Sequence, residues 1–447
     1  MKTTKLITYL ALSALSSTVY ASNFKDEIID HTNSLVKIDS PYSSIMLNEN
    51  TTNINQKQLF LLHQRQAGCL DDNSLYIGAR LLTIADYQDS TEGGKFGWQM
   101  RHPTPNNQIG KEVTEAVVHS AQIGFTGNIL PWFTTFAELL YDPQQGFGEG
   151  TVTALERNEV QLRKAYAIIG DLASFPVYLT IGKFQTPFGL MDTVDPFSSS
   201  TVWHAFSGLA YGAKLAIFWR GLNASVEMAQ GGAQFRAMQT SVGDTAVPSR
   251  LNNIVLDANY QTPIAQSINF LAGVSYLKGS NYCQDFPILH FEACDNNNPA
   301  YDAYARINWN RFTVQGEVAQ TGHVWPGTHN PQPPLDQYEA SKVTAFDVGA
   351  KYTAPICYRD YDFSLSFSEF FAGPDGAPWH RQSQLVAGFA TWFKTVKLFS
   401  EYVRVNGYAP LNFISGSLPD EPFPAGTTHS QANVVNNIVV IGIDATI

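Results

Sequence analysis

After residue 21 the chain contains no run of 18 apolar residues, so no segment of the mature protein suits a membrane-crossing helix. Charge is scarce as well. Asp, Glu, Lys and Arg make up 15% of the 447 residues, against about 25% in ordinary soluble domains. Basic residues number 28 against 39 acidic, a balance that excludes nucleic acid as a partner. No G-x-S-x-G, H-E-x-x-H or P-loop occurs, so no local motif announces a catalytic centre, a resident metal or a cofactor, and none is expected. An enzyme would have to assemble its residues in space, as an embedded hydrolase does.

What is present is a leader, an aromatic-rich composition and a period of two. Lys2 and Lys5, the apolar stretch "LITYLALSALSSTVY" and the small residue Ala21 read as a secretory signal over residues 1–21. Its removal leaves 26 basic residues against 39 acidic, net −13. Residues 22–72 are polar and rich in Asn and Gln. They read as a partly disordered N-terminal periplasmic segment with a short helix around "QKQLFLLHQR".

From Ser74 onward apolar and polar residues alternate. Leu75, Ile77, Ala79 and Leu81 share one face opposite Arg80 and Asp86; Ala303, Ala305, Ile307 and Trp309 oppose Asp302, Tyr304, Arg306 and Asn308. Hairpins fall near 113–140, 158–184, 210–230, 251–278, 301–320, 343–371 and 383–406, with single strands at 75–87 and 433–447. Turns within pairs are short, whereas the connections between pairs are long and rich in Gly, Pro, Asn and Asp. Seven pairs and two singles predict an all-β fold: a transmembrane antiparallel β-barrel of about 16 strands over residues 73–447, with both ends in the periplasm. Trp132, Trp219, Trp309 and Trp392 lie at the short turns, where an interfacial girdle belongs. The expected setting is the bacterial outer membrane, with its lipid as one partner and a small hydrophilic solute as the other; a homo-oligomer is left open.

The inward parity predicts a mixed lumen lining: Arg80, Arg163, Lys214, Arg306 and Lys351 with Asp86, Glu138, Glu227, Asp257, Asp302, Glu317 and Asp347. A phosphate channel would need a basic ladder, which is missing. One connection is unusually long. "GKFQTPFGLMDTVDPFSSSTVWH" (182–204) joins the fifth and sixth strands, where a hairpin needs only about two to five residues. Gly182 and Gly189 permit close approach or positive φ, and Pro187 ends strand pairing. Phe188 can wedge against the wall, while Asp192 and Asp195 would lie at the narrowest point. Surface-loop turn chemistry is the plainer reading of the same residues.

The element GK-x-x-x-PFG (Gly182, Lys183, Pro187, Phe188, Gly189) followed by "DTVDP" (192–196) resembles the legiobactin-type siderophore porins of outer membranes. The likeness implies a 16-stranded porin whose inward loop, with Lys183, Pro187, Phe188, Gly189, Asp192 and Asp195, constricts the channel. It also implies passage of a ferric siderophore, with a general or ion-selective porin as the alternative. Residues 22–72 look too short and too polar to form a plug, and the chain too short for a 22-stranded energised receptor. Transport without a plug domain or inner-membrane energy coupling is therefore expected.

Four cysteines in an exported chain suggest disulfides. Cys283 and Cys294 bracket a stretch within one loop and are expected to be bonded. A metal site using His290 between them matches no standard zinc spacing. Cys69 and Cys357 both map to the periplasmic side, where a bond could pin the N-terminal segment.

Overall fold

A computed structural model describes residues 35–91, 111–141, 160–230, 251–265, 267–283, 296–325, 339, 341–356, 358–373, 380–407 and 433–447. The leader at 1–21, most of the long outer loops, Cys294 and Cys357 lie outside the described residues.

Sixteen antiparallel strands close a ring: β2 (Ser74–Ser90), β3 (Glu112–Leu130), β4 (Phe133–Tyr141), β5 (Val160–Ile169), β6 (Val177–Gln185), β7 (Leu209–Trp219), β8 (Leu222–Gln230), β9 (Leu251–Ala265), β10 (Ile268–Leu277), β11 (Ala300–Trp309), β12 (Phe312–Thr321), β13 (Thr344–Ile356), β14 (Arg359–Phe371), β15 (Arg381–Phe393), β16 (Val396–Gly407) and β17 (Val435–Thr446). β17 pairs with β2 from Asn436↔Ser90 to Thr446↔Arg80, and this pairing closes the barrel. Each strand pairs with its sequence neighbour, so no edge is left to lipid. A two-residue strand, β1 (Val36–Lys37), adds in parallel to Leu75 and Tyr76 at the rim of the short turns.

Those turns are tight because single residues take left-handed backbone. Arg220 and Gly221 have φ of 50° and 89°, the pattern of a two-residue hairpin turn that matches strand twist. Asn310 and Lys394 supply one such residue each. The outer face carries Leu81, Ile123, Leu215, Val226, Leu256, Val314, Val348, Leu365, Tyr402 and Ile441, all exposed. Trp132, Trp219 and Trp309 are 49, 56 and 54% exposed beside the short turns. An apolar belt with an aromatic girdle around a closed sheet is an outer-membrane barrel, its short turns periplasmic.

The N-terminal segment corrects one expectation. Residues 39–70 do not hang in the periplasm; they fill the barrel's periplasmic half. Helix α1 (Ser40–Met46) and helix α2 (Ile54–Gln66) form a hairpin inside the wall. Tyr42, Met46, Leu47, Leu59, Leu61 and Leu62 pack with inward Tyr76, Phe136, Tyr166, Tyr178 and Ala216. The barrel therefore holds a plug, against the expectation of a plug-free pore. The inference of uncoupled transport loses that part of its ground. Cys69, at the foot of the hairpin, is free, so it is not bonded to Cys357. Cys283 is disulfide-bonded.

An arginine placed at the outward mid-strand position Leu365 should destabilise the lipid-embedded barrel by about 2–4 kcal/mol. Urea titration of protein refolded into vesicles measures this, and Leu365→Ala should cost far less.

Candidate functional site

The interior is organised by one connection. Residues 186–208, between β6 and β7, leave the wall and cross the lumen. The neck is closed by a hydrogen bond from Thr186 N to Gly208 O (3.0 Å) and by Phe188 against Phe206, ring centroids 6.1 Å apart. The loop also carries a short helix, α3 (Thr201–Phe206), whose N-cap Ser200 accepts from Trp203 N at 3.1 Å.

Buried backbone N–H groups need acceptors, and the wall provides carboxylates. Glu317 on β12 accepts from Leu190 N (2.6 Å) and Met191 N (3.0 Å). Glu401 on β16 accepts from Phe197 N (2.6 Å) and Ser198 N (3.1 Å). Gly189 and Met191 have φ of 72° and 56°, a left-handed alternation that turns successive N–H groups toward one anion. A Cβ on Gly189 would overlap Glu317 Oε1, so only glycine lets this carboxylate come up beneath the loop. Further bonds run from Gly189 N to Ser275 Oγ, Thr201 N to Ser368 Oγ, Gln384 Nε2 to Ser199 O and Lys397 Nζ to Pro196 O. Gly349 and Gly388 leave room for Val194 and Pro196.

Asp192 is the joint of the interior. Its carboxylate accepts from Thr52 N (2.7 Å) and Asn53 N (3.1 Å), at the start of α2, and from Arg306 Nη2 (2.8 Å) on β11. An anion is well placed at a helix N-terminus. Its backbone oxygen accepts from Gln315 Nε2 at 2.7 Å. Asp195 accepts from the hydroxyls of Ser364 and Ser366 on β14, and burial pushes its carboxyl up, with the Glu401 charge adding to the effect. Both aspartates are buried and bonded. They act as structural joints of the loop that crosses the lumen. Pro187 is buried at the loop's start. Lys183 sits on the outward register beside Tyr211, its ammonium donating to Leu162 O at 3.1 Å. It belongs to the wall and not to the constriction.

The wall charges face inward but are largely covered. Arg80 pairs with both Asp444 oxygens at 2.8 Å and donates to Leu47 O, the end of α1. Glu138 pairs with Lys164 (2.9 Å) and lies 3.5 Å from Arg163, which also meets Glu49 of the plug. Lys214 donates to Asn55, whose amide donates to Asp257 (2.8 Å) and Ser225. Glu227, Asp302 and Asp347 are buried, whereas Arg306 and Lys351 keep part of their surface. Asp86 lies near the outer end of β2, where it accepts from Gln88 at 3.4 Å.

Within the plug, Lys57 donates to Met46 O (2.8 Å) and Asn48 O (2.6 Å), a cation at the end of α1. Burial of that ammonium pushes its pKa well down. His63 stacks edge-on against Phe218, centroids 5.1 Å apart, and burial lowers it to about 4.

Sequence reasoning missed Lys164, Lys397, Glu401, Asp444 and Glu49. The first is inward because of a bulge where Glu138 and Leu139 face Lys164 and Leu162, a shift that strict alternation hides. Lys397, Glu401 and Asp444 do lie on the inward parity of β16 and β17, and that parity was the available signal.

No protein-family model and no curated protein matches this sequence. Among solved structures, OprB of Pseudomonas putida aligns with TM-score 0.49 and 9% identity, covering 83% of this chain and 94% of that one. OmpF of Salmonella typhi, in complex with daunomycin, gives 0.48 and 13%, covering 83% and 97%. The outer-membrane-expressed OmpT of Vibrio cholerae gives 0.46 and 10%, with the same coverage as OmpF. The barrel assignment itself stands on the strand pairing.

Two outcomes test this interior. Glu401→Ala strips two buried N–H groups of their acceptor, each worth about 1–3 kcal/mol, so the urea midpoint should fall and proteolysis within 186–208 should rise. His63 binds its proton near pH 4 when folded and near 6.5 when unfolded. The unfolded state therefore binds more protons between these values, and stability should drop as pH falls through that window. His63→Leu should flatten the slope.

Proposed function

We propose that this protein is an outer-membrane porin that passes a small hydrophilic solute. The observation that carries the reading is the contrast between an apolar outer belt and an inner wall bearing Arg80, Glu138, Lys214, Asp257 and Glu317. Charges at membrane depth are costly unless they face a polar interior. The loop at 186–208, crossing that interior, supports selective over unrestricted passage. Its wall carboxylates are engaged in holding backbone N–H groups, which supports a conduit over an outer-membrane hydrolase.

For the solute, we favour a ferric siderophore. The support is the likeness of Gly182, Lys183, Pro187, Phe188 and Gly189 to the siderophore-porin element, together with the mixed wall charge, which does not suit a phosphate channel. An interior filled by helices and loop argues against a permanently open general porin.

Planar-bilayer recording with and without ferric siderophore tests both levels. Conductance steps blocked by the ferric complex support the full reading. Steps indifferent to it reduce the protein to a porin with no iron role. In the cell, expression under iron limitation and lost siderophore use on deletion should accompany the first outcome.

A further inference from the structure

The helical hairpin inside the barrel has both feet on one rim. It enters after β1, beside Leu75 and Tyr76, and returns through residues 67–73 to the start of β2. Lys37 and Asp71 join the two feet by an ion pair. Only its tip, residues 50–53, reaches the crossing loop. There Asn53 Nδ2 donates to Gly189 O (2.8 Å), Thr52 Oγ1 to Met191 O (2.9 Å), Asn50 Nδ2 to Asp195 O (2.9 Å) and Thr193 N to Asn50 O (3.0 Å).

Two further observations bear on what this hairpin does. The wall it covers at mid-depth is polar: Arg80, Gln122, Glu138, Lys164, Lys214 and Ser225 stand behind it. Arg80, Gln122 and Lys214 are bonded to Leu47 O, Glu49 and Asn55 of the docked hairpin, and the same polar groups suit a surface that is wet when the hairpin leaves. The crossing loop, by contrast, is tied to β10, β12, β14, β15 and β16 by bonds that do not involve the hairpin.

We propose that residues 39–66 are a gate that withdraws into the periplasm as a unit, while the loop at 186–208 stays as a fixed crossbar. Phe197 of the crossbar packs on Leu82 and Ile84 of β2 and on His119 of β3, so withdrawal opens a crescent between the crossbar and β4–β8, and the solute passes there. Because both feet lie on the periplasmic rim, no chain has to be threaded. The pairing of β2 to β17 is untouched. The docked position is specific: a Cβ on Gly78 would overlap Ser43, and one on Gly124 would come 2.9 Å from Leu47 Cδ2. Wall glycines thus mark where the gate seats.

This inference rests on the porin reading, and a disulfide lock separates the two. In a Cys69→Ser background, Leu47→Cys with Gly124→Cys should close a bond between gate and wall, verified by mass spectrometry. Asn55→Cys with Ser225→Cys provides a second, independent lock. The expected result in planar bilayers is loss of conductance on oxidation and recovery on reduction, for both pairs. Cross-linked protein that conducts like the reduced form overturns the gate and leaves the porin standing. Absence of conductance in oxidised, reduced and unsubstituted protein alike overturns both. As a measurement free of conductance, Asn55→Cys alone should react with a membrane-impermeant thiol reagent added from the periplasmic side. Complete protection from that reagent would overturn withdrawal.

Discussion

Every other feature of this molecule depends on the need to pair backbone N–H and C=O groups where water is absent. In lipid that need closes sixteen strands on themselves, β17 onto β2. Once closed, the sheet hides one face from the bilayer, and that face is free to carry charge. The same need then recurs inside. A loop that leaves the wall exposes its own N–H groups to a low-dielectric interior, and Glu317 and Glu401 accept them.

The charges of the inner wall thus act chiefly as anchors. Asp192 joins the α2 N-terminus, the crossing loop and Arg306, so three parts of the chain meet at one carboxylate. Arg80 does similar work between Asp444, Gln122 and the end of α1. A buried charge broken from its partner is costly, which makes these joints specific as well as stabilising. Selective passage, in this reading, comes from what the anchors hold in place.

Strand positions were legible because lipid and lumen impose opposite solvents on alternate residues. Val314, Gln315, Gly316 and Glu317 show the alternation plainly, and their faces follow it. The element Gly182 to Gly189 also declared itself, since positive φ at Gly182 and Gly189 admits few residues other than glycine. Lys164 escaped because a bulge resets the parity of β5. The plug escaped for a deeper reason. In "INQKQLFLLHQRQ" Asn55, Lys57, Gln58 and His63 are buried along with Leu59, Leu61 and Leu62. A helix lodged in a polar lumen needs no apolar stripe, so the usual amphipathic signal is absent. Polarity that appeared to exclude a plug is what fits one to this wall.

The sequence by itself determined the closed barrel, its approximate strand limits, the side that wall residues face wherever no bulge shifts the parity, and the long connection between β6 and β7. These follow from local alternation and turn chemistry, which act over a few residues. Only the tertiary structure decided what occupies the lumen. Whether Asp192 is a bare pore charge or the seat of a helix depends on Thr52 and Asn53, some 140 positions away, and no local pattern encodes that meeting. It arises because a closed wall confines both segments to one small polar volume, where each supplies the hydrogen-bond partners the other lacks.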